Sequence, residues 1–166
     1  MTRLQNFLKK TYKRFLKIRG QPREISLGFA LGLFVGMSPF MGLHTGIAIL
    51  FAAILKWNKI SSAVGVWISN PATAAILYSI TYFIGAKALG IVKAARPPSE
   101  LTIHSIYNMV INTPKVIGIL TVGGIILGIP ISLVGYYLSY SAVRKYQEDL
   151  REKIARKKKE RTRNKS

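Results

Sequence analysis

Ser38, His44, Asn70 and Thr73 are the residues whose types and surroundings can do chemistry. All four lie in apolar stretches, beside the dipeptides Ser38-Pro39 and Asn70-Pro71. Proline cannot continue a helical ladder but fits the first turn of a new helix. A serine or asparagine before it supplies the oxygen that caps that turn. The spacing therefore predicts a helix N-terminus at each break, helices about 25–37 and 40–56 meeting at Ser38. Free amides and the positive end of the helix dipole would then face an apolar region, where such ends hold an anionic group. Paired broken segments in corresponding positions also mark transporter sites. The expected ligand is a phosphate or similar headgroup, lined by Ser38, His44, Asn70 and Thr73. The same motifs also serve as tight turns in a small bundle, and the residues alone leave both readings open.

Other chemistry is poorly supplied. Cysteine is absent, which excludes disulfides, thiol catalysis and cysteine-bound metals. Two histidines, His44 and His104, and six acids argue against a metal centre, so no metal and no cofactor is expected. Ser38 has His44 six residues away, but no acid orients that histidine, so no enzyme is expected. Asn70-Pro71-Ala72 looks like the half-helix motif of water channels, yet only one copy is present in a short chain. Glu24 is either a proton-sensing or paired acid, or a first-turn acid favoured by the helix dipole.

The elements that must position these residues follow from charge and hydropathy. The 166 residues carry 25 Lys+Arg against 6 Asp+Glu, a net charge of +19, with 49% hydrophobic residues. Eight basic residues precede Glu24, six lie from there to Val143, and eleven follow. A disordered basic chain would be less apolar, and a soluble one would mix its charges in. The segregation predicts an all-α integral membrane protein, a compact helical bundle with Pro-broken or re-entrant half-helices. Residues 1–20 form a basic amphipathic interfacial helix, with Leu4, Phe7, Leu8, Tyr12, Phe15 and Leu16 on one face. Residues 21–142 are the membrane domain: broken helices 25–56 and 60–88, an interfacial helix 99–112 and a transmembrane helix 114–140. Residues 143–166 are a helical basic tail.

Gly28, Gly32 and Gly36 recur every four residues, and Gly42 and Gly46 repeat the spacing. Small residues so placed let backbones approach closely, within one chain or in a dimer. Trp57, and Tyr136 with Tyr137 and Tyr140, are interfacial residues, and Pro130 is a place for a kink. The positive-inside bias places both arms in the cytoplasm, which requires an even number of crossings. Three apolar stretches then need one re-entrant hairpin, its two legs about half to three-quarters of the core thickness at 1.5 Å per residue; the alternative is three plain crossings with one basic arm outside.

Three runs carry a resemblance. Gly28-Phe-Ala-Leu-Gly-Leu-Phe-Val-Gly-Met-Ser-Pro-Phe-Met-Gly-Leu-His, then Lys56-Trp-Asn and Trp67-Ile-Ser-Asn-Pro-Ala-Thr, resemble the domain of unknown function 2062 family. The matching positions are Gly32, Gly36, Pro39, Gly42, His44, Asn58, Asn70, Pro71 and Thr73, and the resemblance spans roughly residues 20 to 140. It implies a small prokaryotic membrane protein, with envelope lipid or glycan work as an association and no established activity.

The expected function is binding, with translocation, of an anionic lipid or lipid-linked envelope precursor at the broken-helix site. The alternative is a non-catalytic scaffold whose basic arms recruit a partner such as a glycosyltransferase. Expected partners are anionic membrane lipids, a polyprenyl-phosphate-type lipid and a second copy of the chain; nucleic acid is not expected. The expected location is the cytoplasmic membrane, multi-pass.

Overall fold

A computed structural model describes residue 15 and residues 18–40, 42–91 and 114–163, with side chains to residue 156. Among the described residues the fold is all-helical: α1 (Pro22–Gly36), α2 (His44–Ile54), α3 (Lys59–Val66), α4 (Pro71–Ala88) and α5 (Pro114–Arg163). The expected interfacial helices 1–20 and 99–112, with His104, lie almost wholly outside the described residues, as do the Thr113 cap and the last three residues.

α1 has Pro22 in its first turn, where the missing amide costs nothing, and Glu24 in that same turn complements the dipole. Its 15 residues reach about 22 Å. α2 runs back for 11 residues, about 16 Å. It ends in a Schellman turn: Trp57 N–H donates to Ala52 O at 2.8 Å and Lys56 N–H to Ala53 O at 3.2 Å. Lys56 takes the left-handed position of that turn, φ 56°. Asn58 N–H then donates to Glu24 O at 3.2 Å, so the end of the α1–α2 hairpin returns to its beginning.

α3 next runs alongside α1. Gly28, Gly32 and Gly36 form the contact: a Cβ on Gly28 would enter the Asn58 carbonyl, and one on Gly32 would enter Ser62 O. Gly65 answers from the other side, its Cβ position 3.0 Å from the Gly32 Cα. The glycine stripe is thus used within the chain. Ser61 Oγ donates to Ile25 O at 2.6 Å and Ser62 Oγ to Ala48 O at 3.1 Å, tying α3 to α1 and α2. Two positions of the expected stripe do not pack. Cβ atoms at Gly42 and Gly46 would meet nothing within 4 Å. Gly42 instead serves the turn, at φ 95°, and Gly46 faces open space because α2 turns that side outward.

α5 binds the bundle together. It runs antiparallel to α1: Gly124 meets Met37, Gly128 meets Phe34 and Gly135 meets Leu33. Phe15, Ile25 and Val143 form a core further along. Gln147 Nε2 finally donates to Gly20 O at 3.0 Å. The earlier part of α5 crosses α4, where Cβ atoms on Gly85 and Gly123 would enter Ile119 O and Thr81 O. Among the described residues the largest fully buried side chains include only Ile25, Met37 and Val143 as hydrophobics of size; the rest are Thr81, Ser26, Ser61 and Ser62. Backbone proximity and hydroxyl hydrogen bonds, more than large apolar side chains, hold these helices.

By length and composition, α5 is the one described helix able to cross a membrane alone. α3 and α4 qualify only as a pair bent by 75° at their break. α5 continues unbroken through Pro130 into the charged tail.

Candidate functional site

The Ser38 break is built from the end of α1. Met37 N–H donates to Phe34 O at 3.1 Å and Ser38 N–H to Val35 O at 3.0 Å, closing the last turn. Ser38 Oγ donates to that same Val35 carbonyl at 2.7 Å. Serine therefore finishes α1, and buried Pro39 stops it. This corrects the expected N-cap role. Gly42 at φ 95° holds the chain out of helical conformation, so α2 starts only at His44. The Ser38 carbonyl becomes the hub of the turn. His44 Nε2–H donates to it at 2.7 Å, and the Tyr78 hydroxyl approaches it at 3.5 Å from α4. His44 is buried, 3% exposed.

The Asn70 break follows the expectation. Asn70 Oδ1 accepts from Ala72 N–H at 2.9 Å and Thr73 N–H at 3.1 Å. Thr73 Oγ1 accepts from Asn70 N–H at 3.1 Å, completing a reciprocal capping box. Thr73 also donates to Ile68 O at 2.6 Å and Asn70 Nδ2 to Trp67 O at 3.2 Å, which fixes the bend between α3 and α4. Pro71 sits in the first turn.

The two breaks are neighbours but not one pocket. A Cβ on Gly36 would lie 3.3 Å from both Ile68 and Val66, so the turns pack side by side. Ser38 and His44 are bonded to each other, as are Asn70 and Thr73. Among the described residues no hydrogen bond joins one pair to the other. Tyr78 is the link. Its hydroxyl, on the helix that opens at Asn70, reaches Ser38 O at 3.5 Å. Ser69 Oγ is buried without a hydrogen bond among the described residues.

The amides expected to await an anion are unequal. Those opening α4 are taken by Asn70. Those opening α2 have no side-chain cap, because the N-cap residue is Leu43, 65% exposed. Any anion site at the breaks therefore belongs to the first turn of α2, beside His44 and the open flanks of Gly42 and Gly46.

Two contributors, Tyr78 and Ser69, escaped the sequence, and Asn58 entered only as a position of the family resemblance. Tyr78 and Ser69 sit in apolar runs; a buried tyrosine needs a hydroxyl partner, but nothing local says which. Asn58 caps α3 through Ser61 N–H at 2.9 Å and reaches Arg19 O at 3.0 Å. Its signal was legible, an asparagine before a helix start. No three His, Asp or Glu residues gather among the described residues.

These features define a class: a small helical bundle packed through glycines, with two proline breaks and basic flanks. The family model described as "Uncharacterized protein conserved in bacteria (DUF2062)" matches residues 5–152, and the chain belongs to that family. No curated protein and no solved structure matches it.

Proposed function

We propose that this is an integral membrane protein that binds, and helps to move, an anionic lipid or lipid-linked envelope precursor at the first turn of α2. Membrane residence is supported by what the bundle leaves uncovered. Leu43 just before α2, Leu50 and Ile54 of α2, Ile76 and Phe83 of α4, and Leu133, Val134 and Leu138 of α5 are more than half exposed. Only 33% of the apolar window of α5 is buried, whereas a soluble core helix would be mostly covered. So large an apolar surface belongs against lipid. The α1–α2 hairpin enters and returns at one end, the end that carries Arg19, Lys56, Lys59, Arg144 and Lys145. That end is the cytoplasmic surface by the positive-inside rule, and the hairpin is the re-entrant element.

The observation that carries the ligand reading is the uncapped start of α2. A helix start with no side-chain cap and a positive dipole end, set in an apolar zone, attracts a phosphate. His44 and Tyr78 bind the turn that presents that start. The test is movement of a fluorescent phosphatidylglycerol across liposomes containing the purified protein. Wild type should bind and transfer it. Gly46→Leu fills open space beside the α2 start, so it should fold normally yet transfer little. Absence of binding and transfer by wild type would sink the proposal.

A second reading is a membrane scaffold whose basic arms recruit a partner enzyme such as a glycosyltransferase. The Asn70–Thr73 box favours it, because that break spends its polar atoms on local structure. Under this reading Gly46→Leu changes nothing.

A further inference from the structure

We infer that the basic end of the bundle carries a second, separate lipid site: a groove between residues 18–19 and α5 that holds one anionic phospholipid by its phosphate. The inference rests on the membrane residence proposed above and is independent of the α2 site. The groove has a volume of about 340 Å³. That is at the lower limit for small-molecule pockets, enough for a headgroup and the start of an acyl chain. Its lining is Ile18, Arg19, Tyr146, Leu150, Arg151 and Ile154, together with Gln147. Among the described residues two arginines and no acid line it, with apolar side chains as its floor.

The groove is a built feature. Asn58 Nδ2 holds the Arg19 carbonyl at 3.0 Å, and Gln147 holds Gly20 O at 3.0 Å, so the 18–20 segment is fixed on α3 and on α5. Tyr146, Leu150 and Ile154 recur at helical spacing and continue the stripe that begins with buried Val143. Leu150 and Ile154 remain 45% and 60% exposed. Of the nearby α5 acids, Glu148 pairs with Arg144 at 2.8 Å and Glu152 with Arg156 at 3.8 Å, and neither these nor Asp149 lines the groove. The groove charge is therefore left for an external anion. Arginine forks suit a phosphate, and the apolar floor suits a chain. One ligand with both parts is an anionic phospholipid. The site lies just past the tyrosine belt Tyr136–Tyr140, at headgroup level.

Native mass spectrometry of the full chain in mild detergent tests this, with phosphatidylglycerol and phosphatidylcholine of the same chains offered together. One phosphatidylglycerol should be retained per chain in preference to phosphatidylcholine. Arg19→Gln with Arg151→Gln should lower its occupancy about tenfold, two surface arginines being removed. Arg156→Gln removes one charge about 200° round the helix from Ile154, and it should stay within about twofold of wild type. Leu150→Ser with Ile154→Ser should also weaken retention; both side chains are exposed, so folding is not at stake. Gly46→Leu should leave this adduct intact, which separates failure of the groove from failure of the α2 site. Equal retention of both lipids, or equal loss in Arg156→Gln, would overturn the groove. So would displacement by glycerol phosphate as effective as by the lipid, which would assign it to a free phosphate.

Discussion

At Ser38-Pro39 the chain ends a helix; at Asn70-Pro71 it begins one. The two dipeptides offer the same capping chemistry, and the outcomes differ through what lies beyond them. After Asn70, residues 71–73 include proline at the first position and a threonine that completes the box, so the new helix starts at once. After Ser38, Gly42 takes φ 95° and delays the next helix to His44. The serine hydroxyl then turns back to Val35, and its carbonyl is claimed by residues from two other helices. One break is secured locally and the other by tertiary contacts. The locally secured break has no free amides at its helix start, whereas the other leaves α2 uncapped. Function, in the reading proposed above, follows the less self-sufficient break.

That contrast can be broken by mutation. The largest effect is expected where both breaks depend on one contact. Gly32→Leu would drive a side chain into the α3 backbone and should destabilise by about 3 kcal/mol, at the upper end for overpacking. Thermal unfolding in detergent, with Gly46→Leu as an unaffected comparator, measures it. His44→Ala comes next. It leaves the Ser38 carbonyl with one long contact, at a cost of about 1–3 kcal/mol for a buried acceptor. The loss should grow in a Tyr78→Phe background, because the carbonyl then keeps no side-chain partner; simple additivity in the double-mutant cycle would dissolve the hub.

Asn70→Ala should cost about 1 kcal/mol, the usual value of an N-cap. Adding Thr73→Ala should cost less than its effect alone, since the box is reciprocal. This substitution tests the fold of the break, not its ligand, because every polar atom of Asn70 already serves the backbone. Ser38→Ala is the mildest, a few tenths of a kcal/mol, as the Ser38 amide already bonds Val35 O and no helix start depends on the hydroxyl. A loss of about 1 kcal/mol, the size expected of an N-cap, would instead restore serine as the cap of α2.

Much of this architecture is legible residue by residue. Segregated charge and apolar stretches mark where the helices lie. Proline and glycine punctuation marks where they stop, and Asn70-Pro71-Ala72-Thr73 spells a cap whose partners are all within three residues. Gly28, Gly32 and Gly36 announce a close helix contact. The capping at Asn70 was readable because its hydrogen bonds are local, and local bonds depend on neighbours in the chain.

The sequence by itself determined the helices, the basic flanks and the small-residue faces, since periodicity and backbone sterics act over a few residues. Only the tertiary structure decided which glycines pack, because Gly32 and Gly46 look alike until a second helix is placed against one of them. It alone decided that Ser38 serves through its carbonyl, because His44 and Tyr78 must arrive from other helices to claim it. The same reason covers the groove at Arg19 and Arg151, two side chains more than a hundred residues apart that face one space only after α5 has folded back along α1.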